Sequence, residues 1–304
     1  SHTLGPEDPA TLGSREHLAV VLASQGHITD AQKLERETLA IRRRVLGTEH
    51  PDTLQSMKTL ARLIEREGRD LPNGPEADAR FREAEKLERE TLGIARRVLG
   101  SEDLTTLGLM NNLGSTLDYE GRYAEAEKLQ RDLFEIQRRV LGPEHRDTMG
   151  SMNNIAFTLE KEGRYAEAES VYRDALQVQR RVLGPQHPDT LLTMDNLNNT
   201  LAEQGRYAEA ERLCRETLDI RRRVLGPEHR DTATSKYELA GLLARQGRPN
   251  EALAELRDAV DHGLPAGTDL DIDQEDDFKS LHGDPRYRAL LAHARERAAT
   301  QNAR

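Results

Sequence analysis

The stretch Arg43-Arg44-Val45-Leu46-Gly47-Thr48-Glu49 recurs along this chain in nearly the same form. Its Leu-Gly pair returns at Leu4-Gly5, Leu99-Gly100, Leu141-Gly142, Leu183-Gly184 and Leu225-Gly226, at intervals of 42 residues except for the one that follows Gly47. A period in this range indicates a repeat array, in which each repeat buries its apolar face only against its neighbours. Such arrays typically present a long binding surface and no catalytic pocket.

The exceptional interval is 53 residues long, and its surplus of 11 residues can be located. A second marker, Gly-Arg, is followed in later repeats by Tyr-Ala-Glu-Ala-Glu. After Gly68-Arg69 the equivalent phrase returns only at Phe81-Arg82-Glu83-Ala84-Glu85. The insertion is therefore residues 70–80, and its core at 71–75, Leu-Pro-Asn-Gly-Pro, is typical of a turn. We expect the insertion to lengthen one turn without disturbing the stack.

Composition favours an extended soluble array. Charged residues make up 32% of the chain and aromatic residues 4%, so buried contacts must come mainly from aliphatic side chains. No apolar run reaches the ~18 residues of a membrane span, and we recognise no signal peptide. The single cysteine excludes an internal disulfide framework, which fits the reducing cytoplasm. A net charge of -10 argues against nucleic-acid binding.

Each repeat is predicted to form two helices. In the fourth repeat, residues 145–162 carry apolar residues at spacings of three and four, which make one helical face. Gly163 ends this helix, because glycine takes the left-handed C-cap conformation without steric cost. A second helix is predicted over residues 165–183. His187 or Asp189 is then expected to cap the first helix of the next repeat.

The residues of these repeats carry a family resemblance. Small residues stand at Gly114 and Ala126, and the positions between and around them are filled by Leu113, Leu117, Gly121 and Tyr123. This pattern resembles the tetratricopeptide signature. The ordinary repeat has 34 residues, and the longer repeat with the phrase Leu-Gly-Pro-Glu-His is similar to that of kinesin light chain and its bacterial relatives. The resemblance implies an all-α, right-handed superhelical α-solenoid of six helix pairs over residues 8–262.

The two ends of the chain depart from the repeat. Residues 1–7 read as the end of a preceding linker or as a tag, so we expect a fragment of a longer protein; a native start without a cap is the alternative. Residues 263–304 are predicted to form an acidic loop and a final capping helix. Tyr287, Leu290 and Leu291 of this helix should pack back on the array, because the last repeat would otherwise expose its apolar side.

The candidate binding residues lie on the first helix of each repeat. A linker Thr aligns the repeats, and the residue six places after it, here called the ladder position, is His17, Thr59, Asn112, Asn154, Asn196 and Glu238 in order. The resemblance implies that first helices line the inside of the superhelix and that Asn112, Asn154 and Asn196 hydrogen-bond an extended peptide. A carboxamide suits this role because it offers both a donor and an acceptor.

A structural role for these amides competes with peptide binding. An Asn on an exposed helix can be simply solvated, or it can bond to a neighbouring helix. However, Asn is a mediocre helix former, so three occurrences at equal spacing require a reason beyond propensity. The adjoining Asn111 and Asn153 are also candidate contacts, and one residue of each pair can instead bridge to the neighbouring repeat.

Other positions suggest the polarity of the ligand. Lys58, Arg62 and Arg66 lie at spacings of four, on one face of a predicted helix. Further candidate contacts on the first helices are Tyr119, Phe157, Asn199 and Tyr237. A basic end beside aromatic positions is typical of a surface that binds an acidic segment with an aromatic or apolar anchor. The alternative is a solvated face on which Glu65 neutralises part of the charge.

Other chemical sites are not expected. The Arg runs, such as Arg42-Arg43-Arg44, fall in the last turns of second helices, where cations complement the helix dipole and pair with acids. The linker histidines are one repeat apart, too far for a shared metal, and are interpreted as linker or capping residues. The run Asp269, Asp271, Asp273 and Glu275 resembles the start of a calcium loop, but Gln274 stands at its sixth position, where glycine is required. No cofactor and no catalytic group are predicted.

Three functional hypotheses remain open. The first is a non-catalytic module that binds an extended peptide or partner segment, the second is a structural scaffold that self-associates, and the third is a regulatory repeat segment of a larger signalling enzyme. For the first hypothesis we expect a monomer with a protein or peptide partner, and neither nucleic acid nor membrane. The sequence does not identify the partner, because fold does not imply function.

Overall fold

The computed structural model describes residues 5–262, 264 and 276–302, in which every regular element is a helix. The all-α repeat solenoid predicted from the sequence is confirmed. The chain divides into two compact halves between Glu162 and Gly163. The first four residues of the predicted linker or tag and the calcium-like run at 269–275 lie outside the described residues. None of the described helices has a stretch long and apolar enough to span a membrane.

The N-terminal half is a stack of antiparallel helix pairs. Its helices are α1 (Pro9–Ser24), α2 (Ile28–Val45), α3 (Pro51–Asp70), α4 (Pro75–Val98), α5 (Leu104–Tyr119), α6 (Tyr123–Val140) and α7 (Arg146–Lys161). Each of them packs on the next one along the chain. The odd-numbered helices are the first helices of their repeats, and α5 also contacts both α3 and α7 directly. Side chains of successive first helices therefore share one surface in this half.

The C-terminal half continues the same alternation and ends in a cap. Its helices are α8 (Tyr165–Val182), α9 (Pro188–Glu203), α10 (Tyr207–Val224), α11 (Arg230–Arg245), α12 (Pro249–Asp261), a 3₁₀ helix (Asp276–Leu281) and α13 (Pro285–Asn302). The 3₁₀ helix packs on α11, and α13 packs on α12. Tyr287, Leu290 and Leu291 of α13 are buried, and Phe278 of the 3₁₀ helix lies against Tyr287.

The linkers between repeats are held by a repeated hydrogen bond. The hydroxyl of Thr53 donates to the carbonyl oxygen of Gly47 at 2.7 Å, and Thr148, Thr190 and Thr232 make the same bond at 2.8–2.9 Å. Gly47 has a φ of 88°, in the left-handed region that favours glycine. Linker histidines cap the next helix, as His187 does by accepting from the N–H of Asp189 at 3.1 Å. The capping interpretation of these histidines is thus confirmed.

The insertion at 70–80 lengthens two helices and hardly changes the turn. Helix α3 has 20 residues where α5 has 16, and α4 has 24 where α6 has 18. Only residues 71–74 lie between α3 and α4. The expectation that one turn is lengthened is therefore wrong, because α3 continues through Gly68-Arg69 where the sequence marker suggests a stop.

Gly68 explains why the marker is misleading. The equivalent Gly121 has a φ of 74° and ends its helix, whereas Gly68 lies inside α3 and is buried. A Cβ atom at Gly68 would lie 2.8 Å from Cε1 of Phe81, the aromatic residue that follows the insertion. The ring of Phe81 stacks on that of Tyr119 with centroids 5.3 Å apart. This glycine therefore permits close packing of α3 and α4 rather than a turn.

We expect Gly68→Ala to lower the free energy of unfolding by about 1–2 kcal/mol, because the added methyl group displaces the Phe81 ring. Gly93→Ala in α4 is the matched control. A Cβ atom there meets nothing within 4 Å, so the substitution should stabilise the protein by about 0.5–1 kcal/mol through helix propensity. Chemical denaturation followed by circular dichroism measures both changes. Stabilisation by both variants would contradict the packing role of Gly68.

Candidate functional site

The candidate site in the N-terminal half is the shared surface of α3, α5 and α7. We call it the first-helix face and define it by its exposed or half-buried candidate residues, Lys58, Arg62, Arg66, Asn111, Asn112, Tyr119, Asn154 and Phe157. Asn153 does not belong to this face, because its side chain is buried at 9% exposure. The prediction of a ligand contact at Asn153 is therefore not supported by its position.

The ladder amides bond between repeats. Nδ2 of Asn154 on α7 donates to Oδ1 of Asn111 on α5 at 2.8 Å. The same pair of positions meets two repeats earlier in the half, where Oγ1 of Thr59 lies 3.4 Å from Oε1 of Glu16. A ladder residue thus contacts the residue that precedes the ladder position in the previous repeat. The predicted bridge between repeats is present at Asn111, and it leaves Oδ1 of Asn154 as the acceptor that a ligand could use.

Asn112 differs from Asn154. The residue is half-buried, but its Nδ2 atom is itself buried and has no acceptor among the described residues, so a peptide carbonyl oxygen can reach this atom only after the side chain rotates outward. Leaving a buried donor without a partner costs about 1–3 kcal/mol. A ligand that supplies an acceptor to Nδ2 would gain at most that much binding free energy. Of the two ladder amides in this half, Asn112 is therefore the one with an unused donor.

Lys58 and Arg62 form the basic part of the face. Lys58 lies over α5, since a Cβ atom at Gly108 would be 2.5 Å from the Lys58 Nζ atom. Burial lowers the pKa of Lys58, and the neighbouring Arg62 lowers it further. Neither cation has a carboxylate within 4.0 Å in the described part of the chain, whereas Arg66 reaches Asp70 at 4.0 Å.

Glu65 forms no ion pair with Lys58 or Arg62, although the charge of Arg62 acts on it and lowers its pKa. Its carboxylate pairs with Arg69 at 3.3 Å, and burial raises the pKa of Glu65 above its ordinary value. Arg69 also lies over the ring of Tyr119, 5.5 Å from its centroid. The sequence reading missed Arg69 because its position after Gly68 suggested a turn. The alternative in which Glu65 neutralises part of the basic charge therefore applies to Arg69 first and to Arg62 only through their longer-range attraction.

The two predicted aromatic residues of this half are partly engaged within the chain. Tyr119 is 42% exposed, with one ring face against Phe81 and a hydroxyl 3.4 Å from Nη1 of Arg69. Phe157 is half-buried under the ammonium of Lys161, 5.0 Å from the ring centroid. Tyr119 therefore offers the larger exposed aromatic surface near the basic residues.

The remaining candidates belong to the C-terminal half. Asn196 on α9 is half-buried and Asn199 is exposed, one turn further along the same helix. Tyr237 on α11 packs edge-on against Phe278 of the cap, with ring centroids 5.3 Å apart. Tyr237 thus contributes to packing of the cap, which the sequence could not indicate because the cap lies outside the repeat.

Two arginines of the Arg runs are buried, whereas the adjoining arginines of the same runs are exposed. Arg42 pairs with Glu16 at 2.7 Å and donates to the hydroxyl of Ser56 at 2.6 Å. Arg221 likewise pairs with Asp195 and donates to Ser235 at 2.6 Å. In the third and fourth repeats these helix positions hold amides, Asn111 with Gln137 and Asn153 with Gln179. The residue before the ladder position therefore varies together with a buried residue of the second helix.

Two glutamates lie fully buried at equivalent positions of α2 and α4. Neither Glu35 nor Glu88 is exposed, and burial raises the pKa of Glu35 to about 7 and that of Glu88 to about 8. Glu65, Glu85 and Glu120 add to the shift at Glu88, against the hydroxyl of Thr116. In the next repeat the same position is Gln130, whose Nε2 donates to Oδ2 of Asp118 at 2.8 Å. At this buried position the amide of Gln130 has a hydrogen-bond partner, whereas the carboxylate oxygens of Glu35 and Glu88 have none among the described residues.

No group of His, Cys, Asp or Glu side chains in the described part of the chain is arranged to hold a metal ion. Cys214 is buried, and its Sγ atom lies 3.4 Å from the carbonyl oxygen of Ser235. Burial raises the pKa of Cys214 well above its ordinary value, so the thiol stays protonated. This environment agrees with a packing position rather than a reactive one.

Comparison with known proteins identifies the class of repeat. One family model described as tetratricopeptide repeat matches residues 11–52, 77–104, 106–147 and 148–189, and a second model of the same description matches residues 199–262. The chain therefore belongs to the tetratricopeptide repeat family, whose fold is that of a protein–protein interaction module. A search of curated proteins found no match.

Solved structures show which repeat proteins have a similar fold. The chain is similar to kinesin-light-chain-like TPR repeats of Podosopora anserina (24% identity, 74% of this chain and 99% of that chain, TM-score 0.60). It is also similar to BtubC from P. vanneervenii (21%, 76% and 89%, TM-score 0.62) and to NprR in complex with its cognate peptide NprX (15%, 97% and 73%, TM-score 0.57). The predicted kinesin-light-chain-like type is confirmed at the level of the fold.

We expect the free energy of unfolding to fall as the pH rises through the pKa of Glu88. The carboxyl ionises near 4.5 when unfolded and near 8 when folded, so its stabilising contribution is complete below pH 4.5 and is lost above pH 8. Glu88→Gln should remove about 2 kcal/mol of the decline between about pH 6 and about pH 9. Chemical denaturation at several pH values measures this difference.

Glu76→Gln is the control, because Glu76 is exposed in the first turn of the same helix. It should leave the pH profile unchanged. An equal pH dependence in the parent chain and in Glu88→Gln would show that Glu88 is not the group responsible.

Proposed function

We propose that the first-helix face of the N-terminal half binds an extended acidic segment of a partner protein, in the cytoplasm and without catalysis or a cofactor. The observation that carries the proposal is a set of three donor groups for which the described residues supply no acceptor. These are the ammonium of Lys58, the guanidinium of Arg62 and Nδ2 of Asn112. They lie on the adjacent helices α3 and α5.

Each of these donors has a matching group in an acidic peptide. Carboxylates accept charge-assisted hydrogen bonds from Lys58 and Arg62, which are roughly twice as strong as neutral ones. Asn112 donates to a peptide carbonyl oxygen, and Oδ1 of Asn154 accepts from a peptide N–H. The Asn ladder thereby acts through one free donor and one free acceptor in this half. Main-chain bonding of this kind holds an extended segment whatever its sequence.

Tyr119 is proposed as the anchor site for an aromatic or apolar side chain. It is exposed, and the ring is held in place by Phe81 and Arg69. A rigid aromatic contact loses little side-chain entropy on binding, which is why such residues dominate interface energetics. Arg66 and Phe157 flank this contact on the same face and are assigned supporting roles.

In the C-terminal half we assign Asn196 and Asn199 on α9, and Tyr237 on α11, as further contacts. The fold supports the general mode, since NprR, which has a similar fold, was solved with its cognate peptide. The binding unit is proposed to be the monomer, because the face that carries the contacts belongs to one chain.

We expect the double variant Lys58→Glu and Arg62→Glu to weaken binding of an acidic-aromatic peptide by at least about tenfold, because it replaces two attractions by repulsions. The affinity of the parent chain should also fall with rising salt. Fluorescence anisotropy with labelled peptides, compared against a basic peptide of equal length, measures both effects.

The matched control is Arg82→Glu with Lys86→Glu. These two residues have the same spacing, are exposed and lie on the second helix α4. The control carries the same change in net charge and should keep parental affinity. Equal weakening in both double variants would mean that net charge, not the first-helix face, governs binding, and a preference for the basic peptide would overturn the proposal.

A further inference from the structure

One glycine lies inside α5, where a helix gains nothing from it. Gly108 comes two residues after the linker Thr106 and has helical neighbours on both sides. It is not among the glycines with a positive φ, so no left-handed conformation requires a glycine there. Glycine inside a helix also lowers stability relative to alanine. A need for space, rather than for an unusual backbone conformation, can account for this residue.

The space over Gly108 is filled by the end of the Lys58 side chain. A Cβ atom at Gly108 would lie 2.5 Å from the Nζ atom of Lys58 and 3.2 Å from its Cε atom. The first of these distances is shorter than a Cβ contact in a real protein. The ammonium of Lys58 therefore lies directly against the backbone of α5, and only a residue without a side chain leaves room for it.

The repeat itself tolerates a side chain at the position of Gly108. Leu192 occupies this position in the fifth repeat and is 53% exposed, so a large side chain there projects onto the surface of an uninterrupted α9. The position is also glycine at Gly13 and Gly150, but a Cβ atom at either of them meets nothing within 4 Å. Of these three glycines, only Gly108 has a side chain against it. The close contact thus belongs to Lys58 and not to the repeat fold in general.

We propose that Gly108 is a positioning residue, which holds the ammonium of Lys58 in place for a carboxylate of the bound segment. This inference rests on the proposed function of the first-helix face. Lys58 has no carboxylate within 4.0 Å among the described residues, and Asp103 and Asp147 act on it only at longer range. A lysine side chain that is already ordered loses less rotamer freedom on binding than a solvated one does.

The first test separates affinity from stability. Gly108→Ala should move the Lys58 ammonium off α5. Because the displaced atoms are the end of a flexible side chain, the melting temperature should stay at or above the parental value. The affinity for the acidic-aromatic peptide, measured by fluorescence anisotropy, should nevertheless fall by about three- to tenfold. An unchanged affinity would overturn the proposal.

Gly150→Ala is the matched control. It adds the same methyl group at the equivalent position of α7, where nothing lies within 4 Å, and it should change the affinity by less than about twofold. Equal weakening by Gly108→Ala and Gly150→Ala would overturn the proposal, because the width of the face and not the Lys58 ammonium would then govern binding.

A double variant tests whether Gly108 acts through Lys58. In a chain that carries Lys58→Ala, the addition of Gly108→Ala should change the affinity by less than about twofold, because the side chain that the glycine positions is gone. If Gly108→Ala weakens binding as much in this chain as in the parent, Gly108 acts on the peptide by another route and the proposal is wrong.

A measurement without peptide distinguishes a failure of this proposal from a failure of the proposed function. Burial lowers the pKa of Lys58, so moving the ammonium off α5 should raise this pKa toward its ordinary value. Nuclear magnetic resonance of the Lys58 ¹³Cε atom against pH should show the rise in Gly108→Ala and not in Gly150→Ala. An unchanged Lys58 pKa would overturn the positioning role whether or not a peptide binds. A raised pKa, in a protein whose parent chain binds no acidic peptide, would show that the contact exists and that the proposed function is what fails.

Discussion

The left-handed glycine of each linker sets the direction in which the next first helix starts. Its φ is positive at Gly47, Gly100, Gly142, Gly184 and Gly226, and in four of these five linkers, all except that of Thr106, the linker Thr hydroxyl also donates to the glycine carbonyl oxygen. Because the left-handed glycine fixes the chain direction there, each first helix starts in the same register. Residues at equal distances from the Thr therefore occupy equivalent places, and the ladder position acquires a physical meaning.

A constant register lets the interior vary without loss of the fold. The helix position that holds Glu88 in the second repeat is buried in every repeat. The other five repeats fill it with Glu35, Gln130, Tyr172, Cys214 and Leu256. The first helix adapts to the residue at this position. In the third repeat Gly114 faces Gln130, and a Cβ atom added at Gly114 would lie 3.1 Å from Cγ of Gln130. Burial raises the pKa of the carboxyls at this position, whereas both the nitrogen and the oxygen atom of the Gln130 amide have hydrogen-bond partners.

The sequence predicted what depends on periodicity. Helix pairs, histidine caps and the terminal Arg residues all follow from local pattern and helix electrostatics. It could not predict features that depend on the identity of a distant partner. Gly68 stands between Glu and Arg in the sequence, as the turn residue Gly121 does. Gly68 nevertheless lies inside α3, where it packs against Phe81. Likewise, a period identifies Asn111 and Asn154 as recurring residues but not as partners of each other, because that requires the distance between helices.

In the proposed complex, Lys58, Arg62 and Asn112 hold an acidic segment on the first-helix face through donors that have no acceptor among the described residues. The most direct measurement is a nuclear magnetic resonance titration of the ¹⁵N-labelled chain with an acidic-aromatic peptide, read at backbone and side-chain amides. We predict the largest shifts at the Asn112 side-chain amide and along α3 and α5, with no comparable change on α4. Shifts confined to second helices, or an unchanged Asn112 amide at peptide saturation, would contradict this account.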